Sequence, residues 1–208
     1  RDVALIRTFS RFLRQVRVPY SQDYMWATLV KHAGITANVV ELFHARFDPR
    51  ADADRDNRQN ATVARIENEL QKVESLDEDR ILRRYLYLLR ATVRTNFWVR
   101  NAEGARKRYL SFKLQSAQIP ELPEPRPLFE VWVYSTRFEA IHLRGGKVAR
   151  GGLRWSDRPE DFRTEILGLM KAQMVKNTVI VPVGSKGGFV LKAAPPSSDR
   201  EAFLKEGV

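Results

Sequence analysis

The residues best suited to chemistry lie in one glycine-rich, basic part of the sequence. Eight of the 11 glycines in the 208-residue chain fall between positions 145 and 188. The stretch from Arg137 to Lys192 holds eleven Lys and Arg against five Asp and Glu, and no acidic residue occurs from Ile166 to Lys192. Glycine lets the backbone approach a ligand closely, and each cation supplies charge and hydrogen-bond donors. The stretch therefore predicts a binding site for a small anion.

The order of elements in this stretch suggests how its cations could meet. Arg150-Gly151-Gly152-Leu153-Arg154 is followed by a predicted helix that ends near Lys176, by a strand at 179–181, and by a predicted glycine-rich loop, Gly184-Ser185-Lys186-Gly187-Gly188. Asp157 and Glu160 have the spacing of a capping box for that helix. Arg150, Lys176 and Lys186 each lie next to a predicted turn, so we expect the three to converge.

Two common phosphate-binding patterns are absent from the sequence. The segment 184–188 lacks the residue spacing of a Walker loop and the hydroxyl residue after its lysine. No G-x-G-x-x-G dinucleotide fingerprint occurs in the 208 residues,. From the residues alone, surface charge remains an alternative to an anion site for each lysine.

The ordered combination of these motifs resembles the substrate-binding segment of glutamate dehydrogenases. In that family a basic residue precedes Gly-Gly-x-Arg, a lysine ends the next helix, and another lysine follows in a glycine-rich segment. The sequences of residues 148–158 and 174–189 look like those of the large bacterial NAD-specific enzymes. The specific match begins near Trp132, and a weaker one extends into the first half, for instance at 42–49.

The resemblance implies a role for each matched residue. Lys186 matches the catalytic lysine, and Lys176 matches the lysine that binds the substrate α-carboxylate, although ten positions between them are fewer than usual. Arg150 stands where the family has a lysine for the side-chain carboxylate, and Gly151 matches a glycine whose backbone contacts the substrate. Arg154 is expected to be structural, holding the turn or a nearby acid.

The resemblance also implies that parts of the enzyme lie outside this chain. Nothing after Phe189 resembles the motif of the family's essential aspartate, and the NAD-binding Rossmann domain is absent. Because hydride transfer needs the cofactor held against the α-carbon, we expect this chain alone to be inactive. The whole enzyme would convert L-glutamate to 2-oxoglutarate and ammonia with NAD, as a homo-oligomer.

The remaining sequence predicts an α+β chain. Apolar residues follow a helical stripe in the first half, as in Val3, Ile6, Phe9, Leu13 and Val16, and alternate after residue 96, as in 109–114, 129–134 and 138–143,. We expect an all-helical domain at residues 1–95. Residues 96–208 are expected to form the incomplete start of an α/β substrate domain of the glutamate dehydrogenase type, and the chain is expected to be a fragment.

Composition argues against several other classes of protein. The chain has no cysteine and three scattered histidines, which argues against disulfides and against a metal site,. No apolar run reaches the roughly 20 residues that cross a bilayer, and no signal peptide is visible. We therefore expect a cytoplasmic protein without membrane contact.

The net charge of +11 leaves one alternative from a different class. A basic nucleic-acid-binding domain could use Trp98, Tyr109 and Phe112 to stack on bases, with Arg100 and neighbouring cations on phosphates. Against this, aromatic residues at alternate strand positions usually belong to the core. We therefore expect glutamate and 2-oxoglutarate as ligands, and no nucleic acid.

Overall fold

A computed structural model describes residues 1–50, 54–120, 122–176, 183–193, 195 and 199–207, without the side chains of 174–176, 203 and 207. Within that part, the seven helices are α1 Asp2–Gln15, α2 Gln22–Lys31, α3 Ala33–Phe47, α4 Arg55–Leu70, α5 Leu76–Ala91, α6 Phe162–Lys176 and α7 Arg200–Gly207. The six strands are β1 Thr92–Thr95, β2 Tyr109–Gln115, β3 Phe129–Ser135, β4 Phe138–Arg144, β5 Leu153–Trp155 and β6 Ser185–Leu191. The predicted α+β class is confirmed.

In α1 the apolar residues have helical spacing and pack together on one face. Leu5, Phe9, Phe12 and Leu13 recur every three or four residues and are all buried, so one face of α1 lies in the core. The helix ends at Gln15, four positions before Pro19. Arg17 adopts a positive φ of 59°, the left-handed conformation that commonly closes a helix.

Polar side chains at the starts of α3 and α5 make local hydrogen bonds. Gly34 lies in the first turn of α3, and Thr36 donates its hydroxyl to Leu29 O over 2.8 Å. Helix α5 is capped by Ser75, whose Oγ accepts from Glu78 N, and serine is one of the residues preferred at this position.

The strands form one mixed sheet in the order β1-β2-β3-β4-β6-β5. Neighbours are antiparallel except β5 and β6, which run parallel with α6 as their connection. The predicted strands at 109–114, 129–134 and 138–143 are confirmed within one residue. Strand β1 begins directly after α5 at Thr92, and residues 97–98 form a turn. The strand predicted at 179–181 lies outside the described residues.

The hydrophobic core is shared by the helices and one face of the sheet. Trp132 on β3 is fully buried, with its ring 5.8 Å from Phe12 of α1 and 5.9 Å from Phe162 of α6. Its Nε1 donates to Thr8 O over 3.0 Å, so the indole also satisfies its polar group,. Side chains on both sides of residue 95 thus meet in one cluster. The domain division at residue 95 stays a prediction.

Helix α6 is joined to the sheet by a fully buried ion pair. Arg163 of α6 and Glu130 of β3 are both 0% exposed. The Arg163 Nε donates to Glu130 Oε2 over 2.9 Å, and its second nitrogen donates to Oε1. Because a buried carboxylate needs a partner to remain charged, this contact fixes where α6 can lie on the sheet.

We expect that replacing Arg163 with Met lowers the free energy of unfolding of the chain by about 3–5 kcal/mol, because Glu130 is left charged and buried without a partner. Urea unfolding followed by circular dichroism measures the loss. Adding Glu130→Leu to the same chain should recover most of it, since the unpaired charge is then gone.

The matched control is Arg158→Met, which removes an arginine of the preceding turn. Arg158 pairs with Asp161 at an exposed position, so solvent replaces the lost partner and little change is expected. Equal losses from the two single replacements would contradict the special role of the buried pair.

Candidate active site at the start of β6

The two glycine-rich motifs lie side by side at the beginning of β6. Arg150 forms a parallel bridge with Gly184. Ser185 N donates to Arg150 O over 3.0 Å, and Gly187 N donates to Gly152 O over 3.1 Å. The parallel β5-α6-β6 connection therefore brings residues that are more than thirty positions apart into one backbone ladder.

The segment 184–188 is a strand and not the predicted loop. Residues from Ser185 onward belong to β6, and the glycines serve close packing rather than a turn. A Cβ built on Gly187 would lie 2.4 Å from Leu153 Cδ2, and one on Gly188 would lie 2.3 Å from Ile166 Cδ1. The first approach brings β5 against β6, and the second brings α6 onto it.

Gly151 has the tightest position in the site. A Cβ at this residue would lie 1.5 Å from the carbonyl oxygen of Ser185, whereas one at Gly152 would meet nothing within 4 Å. No hydrogen bond from the Gly151 N–H to another described residue is present. Its N–H is therefore an available donor beside β6, which fits the expected backbone contact with a substrate.

The end of α6 lies against the start of β6. A Cβ on Gly184 would lie 3.0 Å from Gln173 Oε1 and 3.5 Å from Met170 O. Lys176 is the last residue of α6, three positions after Gln173 and so less than one turn further. The backbones at Arg150, Lys176 and Lys186 thus lie around the start of β6. The Lys176 side chain lies outside the described part of the structure.

Lys186 and Arg150 differ in exposure. Lys186 is half-buried and pairs across the sheet with Leu143, a core residue. Gly188, two positions on, faces Ile166 of α6. Because strand side chains alternate, Lys186 belongs to the face covered by α6. Arg150 is exposed, and within the described residues its guanidinium makes no ion pair.

A small pocket opens on the opposite face of β6. Its volume is about 400 Å³, and it is lined by His142, Arg144, Ala149, Arg150, Gly151 and Ser185. We call it the His142 pocket. Arg144 donates to Gly146 O over 2.9 Å and also to Lys147 O, so it holds the turn that leads to Arg150. Burial, and then the charge of Arg144, lower the pKa of His142 below 6.5.

His142 lines this pocket, and the sequence motifs did not indicate it. Its signal was indirect: it alternates with Glu139, Ile141 and Leu143 along β4, and so faces away from the core. The strand register places it across from Gly187, on the face opposite to Lys186.

Arg154 has the structural role expected of it. It pairs with Glu165 of α6, and the Ser156 hydroxyl donates to the same carboxylate. Ser156 N donates to Phe189 O over 2.8 Å. These contacts join the end of β5 to α6 and to β6, and so hold the glycine motif in place.

No group of three acidic, histidine or cysteine side chains in the described residues could hold a metal ion, and no helix there is long and apolar enough to cross a membrane. The proposed base-stacking surface is wrong, because Phe112 is fully buried and Trp98 stacks 5.3 Å from Phe43. These aromatic rings belong to the core.

Comparison with known proteins supplies two family matches. A family described as "Bacterial NAD-glutamate dehydrogenase, catalytic domain" matches residues 65–208, and one described as "Glutamate dehydrogenase, helical motif 3" matches residues 1–49. The chain is 53% identical over 208 residues to a protein of Halomonas elongata. It is 50% identical over 211 residues to one of Pseudomonas aeruginosa. Both relatives are named NAD-specific glutamate dehydrogenase, and the chain spans 13% of the length of each.

The packing at Gly151 gives a prediction about stability. Gly151→Ala should lower the free energy of unfolding by about 1–3 kcal/mol, because the Ser185 carbonyl must move to admit the methyl group. Urea unfolding of the chain measures the change.

Gly152→Ala is the matched control, since the next residue has open space and should change stability by no more than about 0.5 kcal/mol. If both replacements were equally mild, the close approach of Gly151 to β6 would be wrong.

Proposed function

The chain belongs to the bacterial NAD-glutamate dehydrogenase family, and we propose that it supplies one side of the substrate site of such an enzyme. The whole enzyme would convert L-glutamate to 2-oxoglutarate and ammonia, with NAD as the electron acceptor. The observation that supports this best is the parallel ladder that places Arg150, Gly151 and Lys186 together at the start of β6.

Lys186 is proposed as the catalytic group. Its ammonium would lie near the substrate α-carbon, where it activates water and stabilises the charge of the carbinolamine and imine steps. Its position supports this role, because it is half-buried beside a core residue on a strand. A lysine held on a strand keeps its ammonium group near one position, so it loses less conformational freedom when the substrate binds.

Arg150 is proposed to bind the side-chain carboxylate of the substrate. The resembling enzymes use a lysine here, and arginine offers a planar pair of donors that can hold a carboxylate through two hydrogen bonds. Its guanidinium is exposed and makes no ion pair with another described residue, so it is available to a ligand.

Lys176 and Gly151 complete the proposed contacts from this chain. Lys176 would bind the α-carboxylate, which its place at the end of α6 supports, because that end lies against the start of β6. Gly151 would offer its backbone N–H. The close packing of that residue on Ser185 supports a fixed donor.

The cofactor is assigned to other parts of the whole protein. We propose that NAD is bound by a part of the whole enzyme outside these 208 residues, which contain no dinucleotide fingerprint,. We further propose that the whole enzyme is a homo-oligomer. The chain alone should bind a dicarboxylate without turning it over.

Replacing Lys186 with Met in the whole enzyme tests the catalytic role. We expect kcat for glutamate oxidation to fall at least a hundredfold, because proton transfer by a placed group contributes about 10²–10⁴ in rate. KM should change little, and NADH formation at 340 nm gives both values. Lys171→Met, on the exposed side of α6, is the matched control. Near-normal turnover by the Lys186 variant would exclude this role.

Replacing Arg150 with Met tests the carboxylate contact separately. We expect KM for glutamate to rise roughly tenfold or more, because a charge-assisted hydrogen bond is lost, while kcat changes less. KM for norvaline, which has no side-chain carboxylate, should stay the same. An equal change in KM for both amino acids would assign Arg150 to structure and not to recognition.

A further inference from the structure

The face of the sheet that points away from α1 and α6 is apolar across several strands. Trp132 and Ile141 are buried beneath those helices, and side chains alternate along a strand, so their neighbours in β3, β4 and β6 point to the other side. The apolar residues on that side, which we call the outer face, are Val131, Val133, Phe138, Ala140, Phe189 and Leu191. Strand β5 extends this surface, since Trp155 pairs with Phe189 and its ring stacks on the phenyl ring at 5.6 Å.

The outer face is open to solvent in the described part of the chain. All six of its residues are partly exposed, and Leu153 beside them on β5 is 76% exposed. A pocket of about 420 Å³ lies on this surface, and all but one of its lining residues belong to the strands. The exception is Glu206 of α7. A continuous apolar surface of this kind marks an interaction site in a soluble protein.

We propose that the outer face is the docking surface for the polypeptide that directly follows residue 208 in the whole enzyme. This segment lies on the sheet as a helix with one apolar side and with acidic residues at its edge. The proposal concerns assembly and not the substrate. It rests on the length of the relatives, of which this chain spans only 13%.

Helix α7 already brings the chain to this face. Helix α6 precedes β6 and covers the inner face, whereas α7 follows β6. Glu206, in the last turn of α7, pairs with Arg137 in the connection between β3 and β4, and it lines the outer pocket together with Phe138 and Leu191. The polypeptide therefore leaves α7 at the edge of the outer face. A helix of about fifteen residues is long enough to run along the seven residues of β6,.

The charges around the outer face favour such a segment over a second copy of this chain. Lys113 of β2 and Arg144 of β4 point to this side of the sheet, whereas Glu130 and Glu139 are buried on the other side. A second copy would bring the same cations to the interface, and like charges that face each other are unfavourable. A segment with an acidic edge, such as Glu206 already provides, complements these cations.

Photo-cross-linking in the whole enzyme tests which segment lies there. Replacing Phe189 with p-benzoylphenylalanine keeps an aromatic ring at the centre of the outer face and allows it to react with C–H bonds that contact it. After irradiation, peptide mass spectrometry should find the probe joined to one of the first ~30 residues after position 208, about twice the length of the helix needed. Enzyme assembled from a mixture of isotope-labelled and unlabelled subunits should show that both linked peptides come from one polypeptide.

Two further positions complete the design. Leu153→p-benzoylphenylalanine places a second probe beside the outer face at a largely exposed position, so it decides the question if the Phe189 variant does not fold. Leu76 lies on α5 in the helical half and is 62% exposed. The same probe at Leu76 is the matched control and should form no cross-link to the segment after residue 208.

Three results would overturn the proposal. Linked peptides of mixed isotope content would place a second copy on the outer face. Cross-links to a remote part of the same polypeptide would identify a different occupant, and an absence of cross-links from both outer probes would mean that the face stays in solvent. The proposed function is tested separately by the turnover of the Lys186→Met variant, so either idea can fail without the other.

Discussion

The position of the whole site depends on one buried charge. Glu130 lies at an inward position of β3, and Arg163 of α6 neutralises it where neither side chain reaches solvent. Arg163 N also donates to the Gln15 side chain of α1 over 3.1 Å. Because α6 is held at this point, its last turn comes to rest beside Gly184. The buried carboxylate therefore fixes α6, whose end packs against the start of β6, where Lys186 lies.

A second buried carboxylate, on β4, is also neutralised by cationic side chains. Glu139 of β4 is fully buried and is met by Arg11 of α1 at 2.7 Å and by Lys192 at 2.8 Å. Burial lowers the pKa of Lys192, although the contact with Glu139 opposes that shift. Both carboxylates thus form ion pairs with cationic side chains from the helices or from the end of β6. The helical half is tied to the strands that carry the site by charge as well as by apolar packing.

The sequence predicts the periodic elements well and their partners poorly. The spacing of apolar residues in α1, β3 and β4 predicts correctly which side chains face the core, because this spacing depends only on the local sequence. Glu130 and Glu139 even fall on the inward faces of their strands by that rule. Their partners Arg163 and Arg11 lie 33 and 128 positions away, and no local pattern indicates such a distance.

For the glycine motif, the sequence alone is compatible with two different local structures. Gly187 and Gly188 are compatible both with a flexible loop and with a strand that packs closely on its neighbours, because a missing Cβ permits either. The motif lies where two strands and a helix pack closely, and the loop predicted for it is wrong. Only Leu153 and Ile166, which occupy the spaces left by the glycines, decide between the two.

The strand assignment changes how the site must work. A loop would let Lys186 turn towards any neighbour, whereas a strand sends Ser185 and Lys186 to opposite faces. Groups that contact the Lys186 side chain must therefore lie on the face covered by α6. Shifting the register of β6 by one residue would exchange these faces and place the lysine in the His142 pocket. The close contacts of Gly151 and Gly188 oppose that shift, so the same glycines that allow the strands to approach also hold Lys186 on the face covered by α6.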